Sequence, residues 1–173
     1  RVEGAFCAGE LIQGTTFADP RILPVIGRNT VSVPPLAEKD FRCSGPSGYT
    51  LVIGIIEGKI VTDYLMENII SIDGDKRPDS TRYLARISVI ERHGKNGNIG
   101  NGFVRDFCLN MGAIASTVCQ DHHNFVCVGS NLLDMVVAAH RLGEIQGGFL
   151  VVQNESILAK LPLPVAGLMS DQP

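Results

Sequence analysis

Two short stretches hold most of the side chains able to do chemistry. In "VIERHGKNGNIGNGFVRDF" (89–107), Glu91, Arg92 and His93 run into a segment with glycines at 94, 97, 100 and 102 and asparagines at 96, 98 and 101. In "CQDHHN" (119–124), Asp121, His122, His123 and Asn124 follow one another behind Cys119. Histidine titrates near neutrality, so imidazoles beside a carboxylate are suited to moving protons. They serve equally well as hydrogen-bonded loop residues. On a strand, Glu91 and His93 would share a face, which fits either a carboxylate orienting an imidazole or an ordinary strand-end ion pair. His122 and His123 would point to opposite faces and are poorly placed to chelate one metal. No CxxC or other zinc spacing is present, and no H-x-H pair.

The glycines fit neither G-x-G-x-x-G nor the phosphate loop G-x-x-x-x-G-K-[ST]. Asn and Gly together favour turns with positive φ, which turn backbone N–H groups outward. Two readings stand: a polar turn, and a loop shaped to approach a ligand or a neighbouring domain. His140, beside Arg141 on a helix, reads as a surface or interface residue. The prolines of "LPLPVAGLMSD" (161–171) lock an extended path ending in the polar pair Ser170-Asp171, so this segment is expected to lie against something.

The elements that must position these residues follow from periodicity. Residues 2–12 read as a small hairpin turning at Ala8-Gly9, and residues 13–48, rich in proline, as a linker or an arm lying on a neighbour. "RNTVSVPPL" (28–36) has the makings of an edge strand. "YTLVIGII" (49–56) reads as a strand buried on both faces, paired after the Glu57-Gly58 turn with "KIVTDYLM" (59–66). "SIDGDKRPDS" (71–80) reads as a polar loop and "RYLARISVIER" (82–92) as a strand. Phe103, Phe107 and Met111 recur at helical spacing in "GFVRDFCLNMG" (102–112), with Gly112 to close that helix. "AIAST" and "FVCVG" read as strands flanking the polar 118–124 loop. "SNLLDMVVAAHRLGEIQGG" (130–148) is the clearest helix, capped by Ser130 or Asn131 and left through Gly147. "FLVVQNESILAKLPL" reads as a hairpin around Asn154-Glu155. The predicted fold is a layered α/β (α+β) domain with mixed β-sheets and flanking helices, preceded by a short β-hairpin and an extended linker.

Bulk composition narrows the function classes. With 45% hydrophobic and 19% charged residues the 173-residue chain is expected to be globular, as one packed domain or one domain plus a fragment of another. A net charge of −3 and no tryptophan argue against a nucleic-acid partner. No apolar run approaches the roughly 20 residues a membrane helix needs, and nothing at the N-terminus resembles a signal peptide. Cys7, Cys43, Cys108, Cys119 and Cys127, odd in number and widely spaced, are expected to be reduced thiols of a cytoplasmic protein. A start on Arg1 and an end on "LMSDQP" suggest a piece of something longer.

"VIERHGKNGNIGNGFVRDF", "GAIASTVCQDHHNFVCVGSN" and "LPLPVAGLMSDQP", in that order and preceded by "RNTVSVPPLAEKDF", resemble the C-terminal domain of bacterial and archaeal adenine deaminases of the amidohydrolase superfamily. The resemblance makes residues 28–173 that domain, shortened at its end, and 1–27 the end of a small β-domain plus linker. It implies a parent that converts adenine and water to hypoxanthine and ammonia in purine salvage, by attack of a metal-activated hydroxide at C6. The Mn or Fe would sit in an N-terminal (β/α)8 barrel of about 250 residues, so this segment alone is expected to hold no metal and to be inactive. Implied partners are that barrel, adenine and further copies of the chain, with no nucleic acid and no membrane. Residues 91–102, 121–124 and 168–171 are expected to cluster and face the barrel's active site or a subunit interface. The candidates there are Asp121, His123, Asn124, Glu91 and His93 for chemistry, and Asn98, Gly100, Ser170 and Asp171 for the substrate. "DHHN" departs from the family pattern at His122, where a small residue is expected, and this favours Asp121, His123 and Asn124 over His122. The alternatives are a purely structural oligomerisation module and a free-standing small-molecule-binding domain.

Overall fold

A hydrophobic period of two runs through most of the chain, and the structure satisfies it with one large sheet. The computed structural model describes residues 6–7, 10–11, 26–170 and 172. In chain order the strands are β1 (Phe6–Cys7), β2 (Glu10–Leu11), β3 (Gly48–Ile55), β4 (Thr62–Ile69), β5 (Ser71–Ile72), β6 (Asp75–Lys76), β7 (Leu84–Ile90), β8 (Ile99–Arg105), β9 (Ala113–Ser116) and β10 (Phe125–Gly129). Helix α1 (Leu132–Glu144) follows, then β11 (Gly148–Gln153) and β12 (Ser156–Pro162). Eight strands form the main sheet in the order β12-β11-β9-β10-β7-β8-β3-β4. Every neighbouring pair is antiparallel except β3 with β8. The fold is therefore mixed α/β, rich in strands, with α1 as the one α-helix among the described residues.

One face of the sheet carries the core. Met135, Ala138, Ala139 and Leu142 of α1 pack on Ala113, Ala115, Cys127, Leu150 and Val152. Gly129 permits that approach: a Cβ there would lie 2.3 Å from Met135 Cγ. The Asn131 side chain caps α1 by accepting from the Asp134 N–H at 2.8 Å. At the other end Gln146 N–H donates to Gly143 O at 3.0 Å and Gly147 N–H to Leu142 O at 2.9 Å, which is a Schellman exit. Gln146 takes the left-handed position ahead of Gly147 (φ 61°) and uses its amide to hold Val31, accepting from N–H at 3.3 Å and donating to O at 3.2 Å. Along the same face Val52, Ile69, Leu84 and Phe103 form a second cluster, and Phe41, from the 3-10 turn Glu38–Phe41, is fully buried against the α1 core.

Several expectations need correction. Residues 102–112 make no helix: 102–105 finish β8, paired with β7 in the register Arg86↔Phe103 and Ile90↔Ile99, and Asp106 and Cys108 then take positive φ. Phe103 faces the helix side, and the break at Asp106 (φ 66°) after β8 carries Phe107 to the opposite face, so the two never share a helical face. β3 is not buried on both faces, for Val52 is inaccessible while Tyr49, across the sheet plane, is 75% exposed. Segment 71–80 holds the β5–β6 hairpin, turning on Asp73 and Gly74 at positive φ. Segment 28–36 forms only a single parallel bridge, Ser32 to His93, and buries Val31 and Leu36 on its own domain. The small N-terminal hairpin is present as Phe6↔Leu11 and Cys7↔Glu10; its turn at 8–9 and the linker at 13–25 lie outside the described residues. No helix among the described residues is long and apolar enough to cross a membrane.

Candidate functional site

The loops between β7 and β8 and between β9 and β10 leave the sheet at the same end, because β10 lies beside both β7 and β9. Glu91 organises the first loop. Its carboxylate accepts backbone N–H groups from His93 at 2.6 Å, Lys95 at 3.1 Å, Asn96 at 3.3 Å and Gly97 at 3.1 Å. Loss of water around the carboxylate opposes its charge, but these four donors outweigh that effect and hold the group below its ordinary 4.5. It touches the His93 backbone and not the imidazole. Because its pKa is lowered by folding, its hold on the loop is complete above pH 4.5 and is lost as pH falls through the lowered folded value. Glu91→Gln is expected to reproduce that loss at neutral pH. Faster hydrogen exchange at the 95–97 amides is the readout, and unchanged exchange would sink the assignment.

In the second loop the two histidines do part company. His122 Nδ1 accepts the Asn124 N–H at 3.0 Å, and its Nε2 lies 3.2 Å from Cys119 Sγ. Burial, and then the charge of Asp121, push the Cys119 thiol up, so it stays protonated. His123 has positive φ and is held through its carbonyl. Thr117, fully buried, donates to Gly167 O at 2.6 Å and accepts from Gly148 N–H at 2.7 Å, tying this loop to the C-terminal segment.

Arg92 joins the pieces. Its side chain follows Arg86, Ser88 and Ile90 on the helix side of β7 and is only 2% exposed. Nε donates to His123 O, and both Nη atoms donate to Ala166 O at 3.1 Å. The Arg92 carbonyl accepts from Ser32 N–H at 2.8 Å. Gly167 lets the chain lie against the guanidinium, since a Cβ there would stand 2.6 Å from Nη1. Loop 91–98, loop 117–124 and segment 165–167 are thus one assembly around a buried cation.

Beside it lies a shallow hollow of about 510 Å³ lined by Glu91, Asn96, Asn98, Gly100, Asn124 and the apolar Val89 and Ile99. Four of the candidates, Glu91, Asn98, Gly100 and Asn124, therefore meet. His93, Asp121 and His123 are exposed around this end, and Asp121 with His122 borders the opposite, apolar face of the sheet. Ser170 bonds Gln172, accepting its N–H at 3.0 Å, and Asp171 lies outside the described residues. Sequence reasoning missed Arg92, Asn96 and Thr117. Among the described residues no group of three or more His, Cys, Asp or Glu is placed to hold a metal ion.

Residues 59–173 match the family model for the adenine deaminase C-terminal domain. The chain belongs to that family. An adenine deaminase of Cereibacter sphaeroides is 52% identical over 165 residues, which is 95% of this chain and 29% of the relative. One from Brucella abortus is 46% identical over 166 residues, 96% of this chain and again 29% of the relative. The chain thus spans less than a third of the length of the curated relatives it matches. Within the adenine deaminase C-terminal domain family match fall both loops, the Arg92 clamp and the hollow between them.

Proposed function

We propose that this chain is the C-terminal domain of an adenine deaminase, and that its loop end walls the active site of a metal-bearing N-terminal barrel in the full-length enzyme. The observation that carries the reading is the Arg92 assembly, which makes one rigid surface of the family's polar motifs and sets Asn96, Asn98 and Asn124 around a hollow. Carboxamides present a donor beside an acceptor, the arrangement that pairs with the N6 and N7 edge of adenine. A metal in the barrel supplies an activated water; the part of this chain is to orient the purine edge and exclude bulk solvent. Mn or Fe and the groups that hold it belong to the barrel, and the isolated chain is inactive. The unpaired Cys43, Cys108, Cys119 and Cys127 support a cytoplasmic setting.

The test is ammonia release from adenine, with Mn²⁺ or Fe²⁺ supplied, by this chain and by the full-length enzyme. Activity is expected only in the longer protein. There Asn124→Ala and Asn98→Ala, both at the hollow, are expected to raise KM for adenine about tenfold, the worth of one lost hydrogen bond of about 1.4 kcal/mol. Wild-type KM in both variants would remove the loop end from the substrate.

A further inference from the structure

β3 and β8 are neighbours in the main sheet, yet they pair only at Ile53↔Val104 and Gly54↔Arg105. Ahead of those pairs the strands part, and no ladder joins 48–52 to 99–103. A slot of about 560 Å³ opens there. Gly102 of β8 leaves it unfilled, since a Cβ at that position would meet only Ile87 Cγ2, at 3.9 Å.

The rim of the slot is built by the segment before β3. Lys76 N–H donates to Cys43 O at 2.9 Å and Gly45 N–H to Gly74 O at 3.0 Å, so residues 43–45 run along β6. Cys43 and Lys76 flank the Ser44↔Asp75 bridge as an opposed pair and turn their side chains the same way. The thiol reaches Gly102 O on the β8 wall at 3.6 Å, and the ammonium reaches the Thr50 hydroxyl on the β3 wall at 2.5 Å. Arg42 and Ser44 stand on the same rim, while Leu51, Ile53 and Phe103 make the walls apolar.

Charge at the slot is one-sided. Carboxylates of the neighbouring strands are engaged elsewhere, Asp75 by Arg86 and Glu67 by Arg82 and Arg105. Among the described residues neither Arg42 nor Lys76 has an ion-pair partner. No Asp or Glu lines the slot, whereas hollows of similar size elsewhere on the domain carry Asp134, Glu144, Glu91 or Asp121. On a chain of net charge −3, a cleft with two cations and no carboxylate is set for an anion.

We propose that this slot binds a small phosphomonoester, its phosphate held by Arg42 and Lys76 and its organic part lying against Leu51, Ile53 and the Gly102 backbone. Such a phosphate carries close to two negative charges and three terminal oxygens at neutral pH. That matches two cations and the Ser44 hydroxyl better than the single charge and two oxygens of a carboxylate. The proposal does not depend on the catalytic reading, for no residue lines both this slot and the hollow at Asn98 and Asn124.

The probe is phenyl phosphate, titrated into the chain by calorimetry at fixed ionic strength while backbone amide shifts are followed by NMR. Saturable binding is expected, with the shifts confined to 42–45, 50–53, 76 and 101–103. Benzoate, which keeps the ring but has one charge, is expected to bind more weakly. Arg42→Gln and Lys76→Gln are each expected to weaken phenyl phosphate at least about tenfold, the loss of one charge-assisted hydrogen bond. Lys160→Gln removes the same charge from the exposed strand β12 and is expected to leave the affinity unchanged. Circular dichroism and the unfolding midpoint verify the fold of each variant. Absence of saturable binding, shifts centred elsewhere, or benzoate binding as tightly overturns the proposal. So does an affinity that survives both rim substitutions or falls equally in Lys160→Gln.

Discussion

Arg92→Ala is expected to destabilise the domain by about 3 kcal/mol, the scale for losing a buried charged group that satisfies several hydrogen bonds. Two partly buried carbonyls, His123 O and Ala166 O, lose their donors, and the chain at Gly167 loses the surface it lies against. Burial lowers the Arg92 pKa, yet a guanidinium remains charged throughout the working range, so the lost interaction is charge-assisted at any ordinary pH. Arg92→Lys keeps the charge without the planar fork and cannot reach both carbonyls, so it is expected to recover less than half of the loss. A urea unfolding series measures the size, and hydrogen exchange locates it. Protection should fall first at 119–124 and 163–168 and last in β7 and β10. An unchanged midpoint with protection intact in those segments would mean that Arg92 does not hold them.

Much of the scaffold was legible in the sequence because local and tertiary preferences agree there. Asn131 caps α1 and a left-handed pair ends it; Asn154 and Glu155 turn at positive φ between two alternating strands. The helix expected at 102–112 failed where the two preferences conflict. Phe103 and Phe107 have helical spacing, but pairing with β7 claims residues up to 105, and tertiary context overrides a weak local signal. The reading of β3 as doubly buried came from its apolar run. Such a run reports β-branched strand preference as well as burial, and in this chain only the helix side of β3 is covered.

For the candidate site, residue types were a better guide than geometry. Glu91, Asn98, Gly100 and Asn124 share a hollow, as polar loop residues at one end of a sheet can. Arg92 was passed over because an arginine between glutamate and histidine in a polar stretch reads as solvated. Its burial depends on Ala166, 74 residues further on, and no periodicity near Arg92 encodes that. A sequence signal did exist: "VAGL", with two small residues in an otherwise stiff tail, marks a backbone that must approach something closely.

Asp75→Ala should cost about 3–5 kcal/mol, the penalty for stranding a buried charge. Asp75 and Arg86 are 2% and 1% exposed, and the pair is bidentate, with Nη1 to Oδ1 at 3.1 Å and Nη2 to Oδ2 at 2.9 Å. Asp75 Oδ1 also accepts the Cys43 N–H at 3.0 Å, and the Arg86 guanidinium lies 5.9 Å from the centre of the Phe103 ring. Without the carboxylate, Arg86 keeps its charge and has no anion to meet it in the core. Arg86→Leu alone leaves Asp75 with Arg77 Nη1 at 3.7 Å and the Cys43 N–H, and is expected to cost less than the loss of Asp75. Burying an ion pair is itself expensive, so Asp75→Leu with Arg86→Leu is expected to be far more stable than the two single losses added together. The double-mutant cycle therefore separates two accounts of this pair. A coupling of several kcal/mol identifies the unpaired charge as the source of the damage. Simple additivity would instead assign the loss to packing around each side chain, and the pair would then act on β7 through its shape and not its charge.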